Sequence, residues 1–514
     1  MTSGTQPQRD QSEAIAFLAD PATYGGARVE HVETHGAHVF LAGEVALKIK
    51  RAVRYDYMDF STLEKRHAML QRELYLNRAA APEIYRNLVP ITRESDGHLA
   101  LGGAGEPVEW ALRMQRFPAE AELSAVAARG ALDDGLADEL GRVIAAYHDC
   151  AARRSADGGE LIASILRELR DALAGMAGLL DVEQIRTFEA EAVGQLKLLT
   201  PLLAERTKAG CVRRVHGDLH LGNFVLIGGR PVPFDALEFD ERLGTCDVLY
   251  DLAFLLMDLC HRDLRRAANL VLGAYLLAMN GTQDSGMAAL PLFMAVRAAI
   301  RSMVTVQTGR AKGDPAASRS EARKYLGDAL DMLVAPAPRL IAIGGRSGTG
   351  KTVLARALAP EIGGLCGAVH LRSDLERKAM AGVAPETHLP PEHYTKEASD
   401  KVYARMFERA RALLRAGASV VLDAAFLDPA ERAEAKALAA EFSVAFDGIW
   451  LEAEPDRLVA RVSARRGDAS DADATVVRKQ LGFDVGPVDW RCVDASGASD
   501  ATLAKTRAAL GLMD

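Results

Sequence analysis

His216-Gly217-Asp218, Asn223 five residues past that aspartate, and Phe234-Asp235 beyond a short gap make one set of residues whose types and spacing suit phosphoryl transfer. That chemistry needs a carboxylate to orient and deprotonate an acceptor hydroxyl. It also needs oxygen donors for magnesium, which neutralises charge on the β and γ phosphates. Asp218 is read as the base, and Asn223 and Asp235 as the metal donors. Val225–Ile227 and Pro231–Phe234 flank Gly228-Gly229, which predicts a hairpin that brings Asn223 and Asp235 together. The plainer reading is a surface turn, but order, spacing and hairpin context agree on a site.

Gly345-Arg346-Ser347-Gly348-Thr349-Gly350-Lys351-Thr352 is the second set. Its glycines let backbone N–H groups curl round phosphates at the positive end of a helix. Lys351 is expected to reach the β and γ oxygens, and Thr352 to ligate magnesium. An apolar strand, Leu340–Ile343, precedes the loop and a helix, Val353–Leu358, follows it, the context this motif requires. Asp374 ends the next strand, where a carboxylate can meet an acceptor hydroxyl; capping the following helix is its alternative role. Arg377, one turn on, could bind an anionic acceptor. Asp423 ends a third strand and could hold magnesium through water or touch the acceptor. Arg461 and Arg465, four apart on a predicted helix, could close over a triphosphate with Arg466, or could form a solvated basic face.

These residues need two frameworks. In the first part, strands are expected at Val39–Leu41 and Val45–Lys50, then a helix over 61–80 with Ser61-Thr-Leu-Glu64 as its capping box, then a strand at Trp110–Phe117. Val45-Ala-Leu-Lys48 resembles the protein-kinase strand whose lysine grips the α and β phosphates of ATP, a resemblance that implies a glutamate partner on the following helix, with Glu73 preferred over Glu64 on spacing. Beyond Leu123 the pattern turns helical. Pro336 and Pro338 mark a linker at 334–338, which separates a unit at 1–333 from one at 339–514. In the second unit, strands at Leu340–Gly344, Ala368–Leu371, Ser419–Leu422 and Gly448–Leu451 alternate with helices, the pattern of a parallel α/β sheet.

Composition sets the outer limits. A chain of 514 residues exceeds one core. A net charge of −8 argues against binding nucleic acid by blanket phosphate neutralisation. Six scattered cysteines without a C-x-x-C pair fit reduced thiols. The stretches near Leu249–Leu259 and Leu270–Met279 are too short to span a bilayer. The expectation is a cytoplasmic protein with no membrane partner.

His216–Asn223, with Asp235 and Cys246-Asp247-Val-Leu-Tyr-Asp251, resembles the aminoglycoside phosphotransferase and choline kinase branch of the protein-kinase-like fold over roughly residues 30 to 310. Gly217 stands where protein kinases carry arginine, as is typical of that branch. No G-x-G-x-x-G precedes Lys48; the corresponding stretch is Glu33–Val39, so the phosphate-covering loop departs from the pattern. Gly345–Thr352, Asp374 and Asp423 resemble the gluconate kinase, polynucleotide kinase and zeta-toxin group of P-loop kinases. The tandem order resembles bacterial proteins described as bifunctional aminoglycoside phosphotransferase and ATP-binding protein. The resemblance implies an α+β bilobal kinase-like domain followed by an α/β P-loop NTPase domain, with ATP and magnesium as cofactors and a hydroxyl-bearing small molecule as acceptor. Two alternatives stand beside it. One is a regulatory protein in which one nucleotide site is a switch, and the other is a nucleic-acid end kinase acting through the second unit.

Overall fold

The computed structural model describes residues 11–55, 58–311, 315–464 and 468–512. Contacts group the chain into two compact units that interleave in sequence. One comprises Met1–Leu136, Cys150–Leu161 and Thr207–Asp251, and the other comprises Ala137–Asp149, Ile162–Arg206 and Leu252–Asp514.

The first unit is built on six strands, β1 (Val29–Glu33), β2 (Ala37–Ala42), β3 (Val45–Lys50), β4 (Tyr85–Arg93), β5 (Leu99–Leu101) and β6 (Glu106–Gln115). They lie in the order β1-β2-β3-β6-β4-β5, and every neighbouring pair is antiparallel. Ala42 pairs with Val45 across Gly43-Glu44, the two-residue hairpin expected, and Gly43 takes the left-handed backbone it needs (φ 56°). Alternation along β3 divides the work of its side chains. Leu47 and Ile49 enter a core with Phe40, Ile91 and Ala111, while Lys48 and Lys50 share the opposite face.

On that opposite face packs the Leu63–Arg78 helix, which buries Arg66, Leu70, Glu73 and Asn77. This three-four spacing points one stripe inward, and Leu70 joins Ile84, Tyr85, Leu112 and Val225. The helix is capped by Thr62, whose hydroxyl accepts from the Lys65 N–H. The cap is therefore one residue later than expected, because the Ser61 hydroxyl is held by Asp59 at 2.6 Å.

In the second unit, β7 (Arg339–Gly345), β8 (Val369–Arg372), β9 (Val420–Asp423), β10 (Ala445–Glu452) and β11 (Arg491–Asp494) form a sheet in the order β8-β9-β7-β10-β11. All its pairings are parallel. The central strands are apolar on both faces: Ile341, Ile343, Val421, Ile449 and Leu451 are buried on one with Leu354, Leu358 and Val493, and Leu340, Ala342, Val420, Leu422 and Trp450 are buried on the other. Four of the strands fall where the sequence places them. β11 carries too little apolar periodicity to be seen.

The segment 334–338 has no regular structure. Among the described residues no cysteine forms a disulfide. One stretch, Asp284–Arg310, is long and apolar enough by length and composition to cross a membrane, and 67% of its most apolar window is buried inside the protein. It is longer than the two stretches that stand out in the sequence. Arg297, Arg301 and Arg310 break its apolar run to the eye.

Candidate active sites

In the first unit, short strands Val212–Arg214 and Thr245–Asp247 pair and hold the His216–Asn223 loop between them. Asp251 accepts backbone N–H bonds from both His216 (3.1 Å) and Gly217 (2.8 Å), so one buried carboxylate fixes the start of the loop. Gly217 has φ 83°, and a Cβ there would sit 3.1 Å from that of Leu237, so any side chain would be both strained and crowded. His216 donates from Nε2 to the Phe234 carbonyl at 2.9 Å, and its Nδ1 accepts from the Asp218 N–H at 3.3 Å. Burial pushes its imidazole below the ordinary histidine value, which keeps it neutral and suited to that tautomer.

The Asn223 amide donates to the Asp218 carbonyl (2.8 Å) and to its carboxylate (3.0 Å), leaving Asn223 Oδ1 as the end able to meet a cation. The hairpin forms as expected, Phe224–Ile227 against Arg230–Pro233, and the Phe234 N–H donates to the Asn223 carbonyl at 2.9 Å. Asp235 follows directly and takes φ 61°, a costly conformation for a residue with a Cβ. Two anchors absent from the sequence reading hold it there. Its N–H donates to the Tyr85 hydroxyl (2.9 Å), and the next N–H, of Ala236, donates to Asn77 Oδ1 (2.8 Å).

Lys48 Nζ lies 2.7 Å from Glu73 and 2.7 Å from Asp235. Glu73 is thus the partner, and Glu64 is not. Burial works to raise the Glu73 and Asp235 carboxyls, but Lys48 overrides it and holds both below the usual range. Two further charges extend the cluster. Lys50 Nζ lies 2.6 Å from Glu73 Oε2 and 2.6 Å from Glu238. Lys48, Lys50, Asp218, Asp235 and Glu238 line one cavity of about 230 Å³, with Thr34, His35 and Gly36 of the β1–β2 turn on its wall. That turn falls within Glu33–Val39, the stretch that lacks the G-x-G-x-x-G pattern.

Lys50 and Glu238 escape the sequence reading because the motif stops at Lys48 and Asp235. The available signal was spacing: Lys50 is two along the same strand. Removing it would leave Glu73 and Glu238 buried with one cation fewer. The Lys50→Met variant is therefore expected to lower the stability of this unit by about 3 kcal/mol, read by chemical denaturation. The acidic residues Asp240, Glu241 and Asp258 are accounted for locally. Glu241 pairs with Arg72 and Arg214, Asp258 with Arg262, and Asp240 accepts the Arg242 N–H.

In the second unit, Gly345–Thr352 leaves β7 and runs into the Lys351–Leu358 helix. Gly345 (φ 135°) and Gly348 (φ 88°) are required, since a Cβ would come within 2.6 Å of the Leu451 carbonyl oxygen and 2.7 Å of that of Leu458. Lys351 Nζ donates to the carbonyls of Gly345 (2.8 Å) and Arg346 (3.1 Å), and so lies along the loop. Thr349 Oγ1 also closes onto the Arg346 carbonyl at 2.8 Å. Thr352 donates to Asp423 Oδ2 at 2.7 Å, joining the two proposed metal donors. His370 Nε2 stands 3.2 Å from the same oxygen. Burial works to raise the Asp423 carboxyl, and His370 with nearby cations brings it below its ordinary value. A residue the sequence does not single out, Gln480, accepts the Ser347 N–H at 2.7 Å and accepts Arg346 Nε at its carbonyl.

Asp374 sits in the first turn of the Ser373–Ala381 helix and faces Arg372 at 3.4 Å, so the capping alternative does not hold. Arg377 donates to the His393 carbonyl and lies over the Tyr394 ring. Arg461 turns its guanidinium to the carbonyls of Ala495 (2.9 Å) and Gly497 (2.8 Å), with Gly348 at 3.5 Å. It braces the loop from behind. Its helix ends at Ala464, and Arg465 and Arg466 lie outside the described residues.

The geometry agrees with what the chain is similar to. Residues 48–290 match the model of the phosphotransferase enzyme family, and residues 340–483 match that of an AAA domain. Uncharacterized proteins of Mycobacterium tuberculosis and Mycobacterium bovis are each 31% identical over 468 residues, 88% of this chain and 90% of theirs. Solved structures that resemble parts of it include a choline/ethanolamine kinase family protein from Mesorhizobium loti and a gluconokinase from Sinorhizobium meliloti. The first is 14% identical with a TM-score of 0.34, over 63% of this chain and 98% of that one. The second is 21% identical with a TM-score of 0.25, over 34% of this chain and 97% of that one. With a kinase-like phosphotransferase fold ahead of a P-loop domain, this chain belongs to the family of those mycobacterial proteins.

Proposed function

We propose that the protein is a bifunctional phosphotransferase, dependent on ATP and magnesium, that acts on hydroxyls of small molecules through two independent ATP sites. The observation that carries this reading is the convergence of Lys48, Asp218 and Asp235 on one cavity, with the Asp218–Asn223 bond and the Lys48–Glu73 pair in place. In the second unit the corresponding support is Thr352 bonded to Asp423 at the mouth of the phosphate loop.

Among the described residues no three His, Cys, Asp or Glu side chains gather as a protein-only metal cage. Two oxygen donors per site suit magnesium, which keeps waters and takes the rest of its shell from phosphates. Asn223 Oδ1 and Asp235 would hold it in the first site, and Thr352, with Asp423 behind it, in the second. Bound there it would neutralise charge on the β and γ phosphates.

The chain's own residues do the rest. Lys48, held at 2.7 Å by both Glu73 and Asp235, would be the cation that meets the α and β phosphates. Asp218, half-exposed and oriented by Asn223, accepts the proton of the acceptor hydroxyl. Lys351 and the loop N–H groups hold the β and γ phosphates of the second nucleotide, and Asp374 stands as the base.

A second reading has one observation in its favour. Gln480, on the Ala474–Leu481 helix, holds the Ser347 N–H, so a nucleotide that takes that N–H would displace the Gln480 side chain, a contact through which the loop could signal to this helix as a switch would. Purified protein should be offered sugars, amino alcohols, nucleosides and aminoglycosides while ATP consumption is followed. Acceptor-dependent turnover that stops with a magnesium chelator is expected. ATP bound without turnover on any acceptor would favour the switch.

A further inference from the structure

The structure assigns Asp284, in a segment that precedes the linker by some fifty residues, to the second site: we propose that it is a positioning residue which, through Arg409 and Glu376, fixes the helix carrying Asp374. This rests on the reading of the second site given above. Asp284 lies on a 3-10 turn, Asp284–Ala289, between two helices of the second unit. Its two oxygens receive Arg409 Nε at 2.8 Å and Nη2 at 2.9 Å, the bidentate arrangement. The remaining face of that guanidinium, Nη1, donates to Glu376 Oε1 at 2.6 Å. Glu376 Oε2 receives Arg405 Nε at 2.7 Å, and Arg405 Nη2 donates to Asn280 Oδ1 at 2.6 Å.

Asp284, Glu376 and Arg409 are 2%, 1% and 6% exposed. A buried triad of charges is weak evidence for stability, since apolar residues of like volume serve as well or better. What it supplies is one defined geometry. Glu376 is two residues past Asp374, about 200° round the helix. Holding the back of the helix by Glu376 therefore turns Asp374 outward, where it is partly exposed. The strand leading into that helix is fastened from the same region. Asn269 donates to the carbonyls of Cys366 (2.8 Å) and Ala368 (2.9 Å), immediately before β8. Asp374 thus sits between two attachments to residues 269–284. Gly281 is shaped for the contact, since a Cβ there would meet Arg409 Nε at 2.9 Å.

The test uses the full chain in an Asp218→Asn background, so that only turnover dependent on Lys351 is read. The isosteric Asp284→Asn change is compared with Arg405→Met, which breaks the more exposed arm of the network. Both should lower kcat at the P-loop site, Asp284→Asn by about ten- to a hundredfold and Arg405→Met by less. Affinity for ATP should stay within about twofold. Hydrogen exchange should quicken in residues 373–381 and stay unchanged in 345–352. Unchanged kcat with unchanged exchange would overturn the proposal. So would loss of ATP binding in step with kcat, the mark of general unfolding. If the Asp218→Asn chain shows no Lys351-dependent turnover, the phosphotransfer reading of this site fails, and the exchange pattern alone decides whether Asp284 positions the helix.

Discussion

Replacing Asp218 by Asn should lower phosphoryl transfer at the first site by about 10²- to 10⁴-fold while leaving ATP bound there with near-normal affinity. The separation follows from the geometry. Asp218 is held by Asn223 from one side and opens on the cavity, whereas Lys48 and Asp235 carry the contacts expected for nucleotide and metal. An amide keeps the size and the bond to the loop but accepts no proton. Steady-state rates with the best acceptor from the panel, together with a nucleotide titration of the same variant, check both halves of this expectation. A fall in affinity equal to the fall in rate would place Asp218 among the nucleotide contacts instead.

Lys351→Met should act differently, because it removes a cation that faces phosphate in both the ground and the transition state. Hydrogen bonds to charged groups are worth about 1.5–3 kcal/mol, so ATP affinity at the second site should fall by roughly ten- to a hundredfold, with kcat falling as well. The methionine stem can still pack along the loop, whose shape is set by Gly345 and Gly348 against Leu451 and Leu458. Fluorescent-nucleotide titration, with rates measured on the Asp218→Asn background, separates the two effects. Turnover at the first site should be untouched.

Both sites were legible because their residues are close in sequence and each motif dictates its own local shape. Asp218 and Asn223 share a loop, the Gly228-Gly229 turn returns the chain to Asp235, and strand, glycine loop and helix follow one another in the second unit. What was not legible comes from distant chain segments brought together by packing. Tyr85 and Asn77 hold the strained Asp235 backbone from a strand and a helix more than a hundred residues upstream. Asp251 fixes the loop from behind, Gln480 meets Ser347 across 133 residues, and Asp284 meets Arg409 across 125. Periodicity on one element cannot report these. Arg461 shows the converse, a plausible charge on a plausible helix whose donors are directed to loop carbonyls. The Thr62 cap shows how a neighbour, Asp59, can take the residue that a local motif had reserved.

The most direct test of two independent ATP sites is nucleotide stoichiometry, measured by calorimetry with a non-hydrolysable ATP analogue and magnesium. The wild-type chain should bind two equivalents, Lys48→Met and Lys351→Met each close to one under conditions that saturate only intact sites, and the double variant none. A single equivalent in the wild-type chain, or two retained in either single variant, would contradict the account.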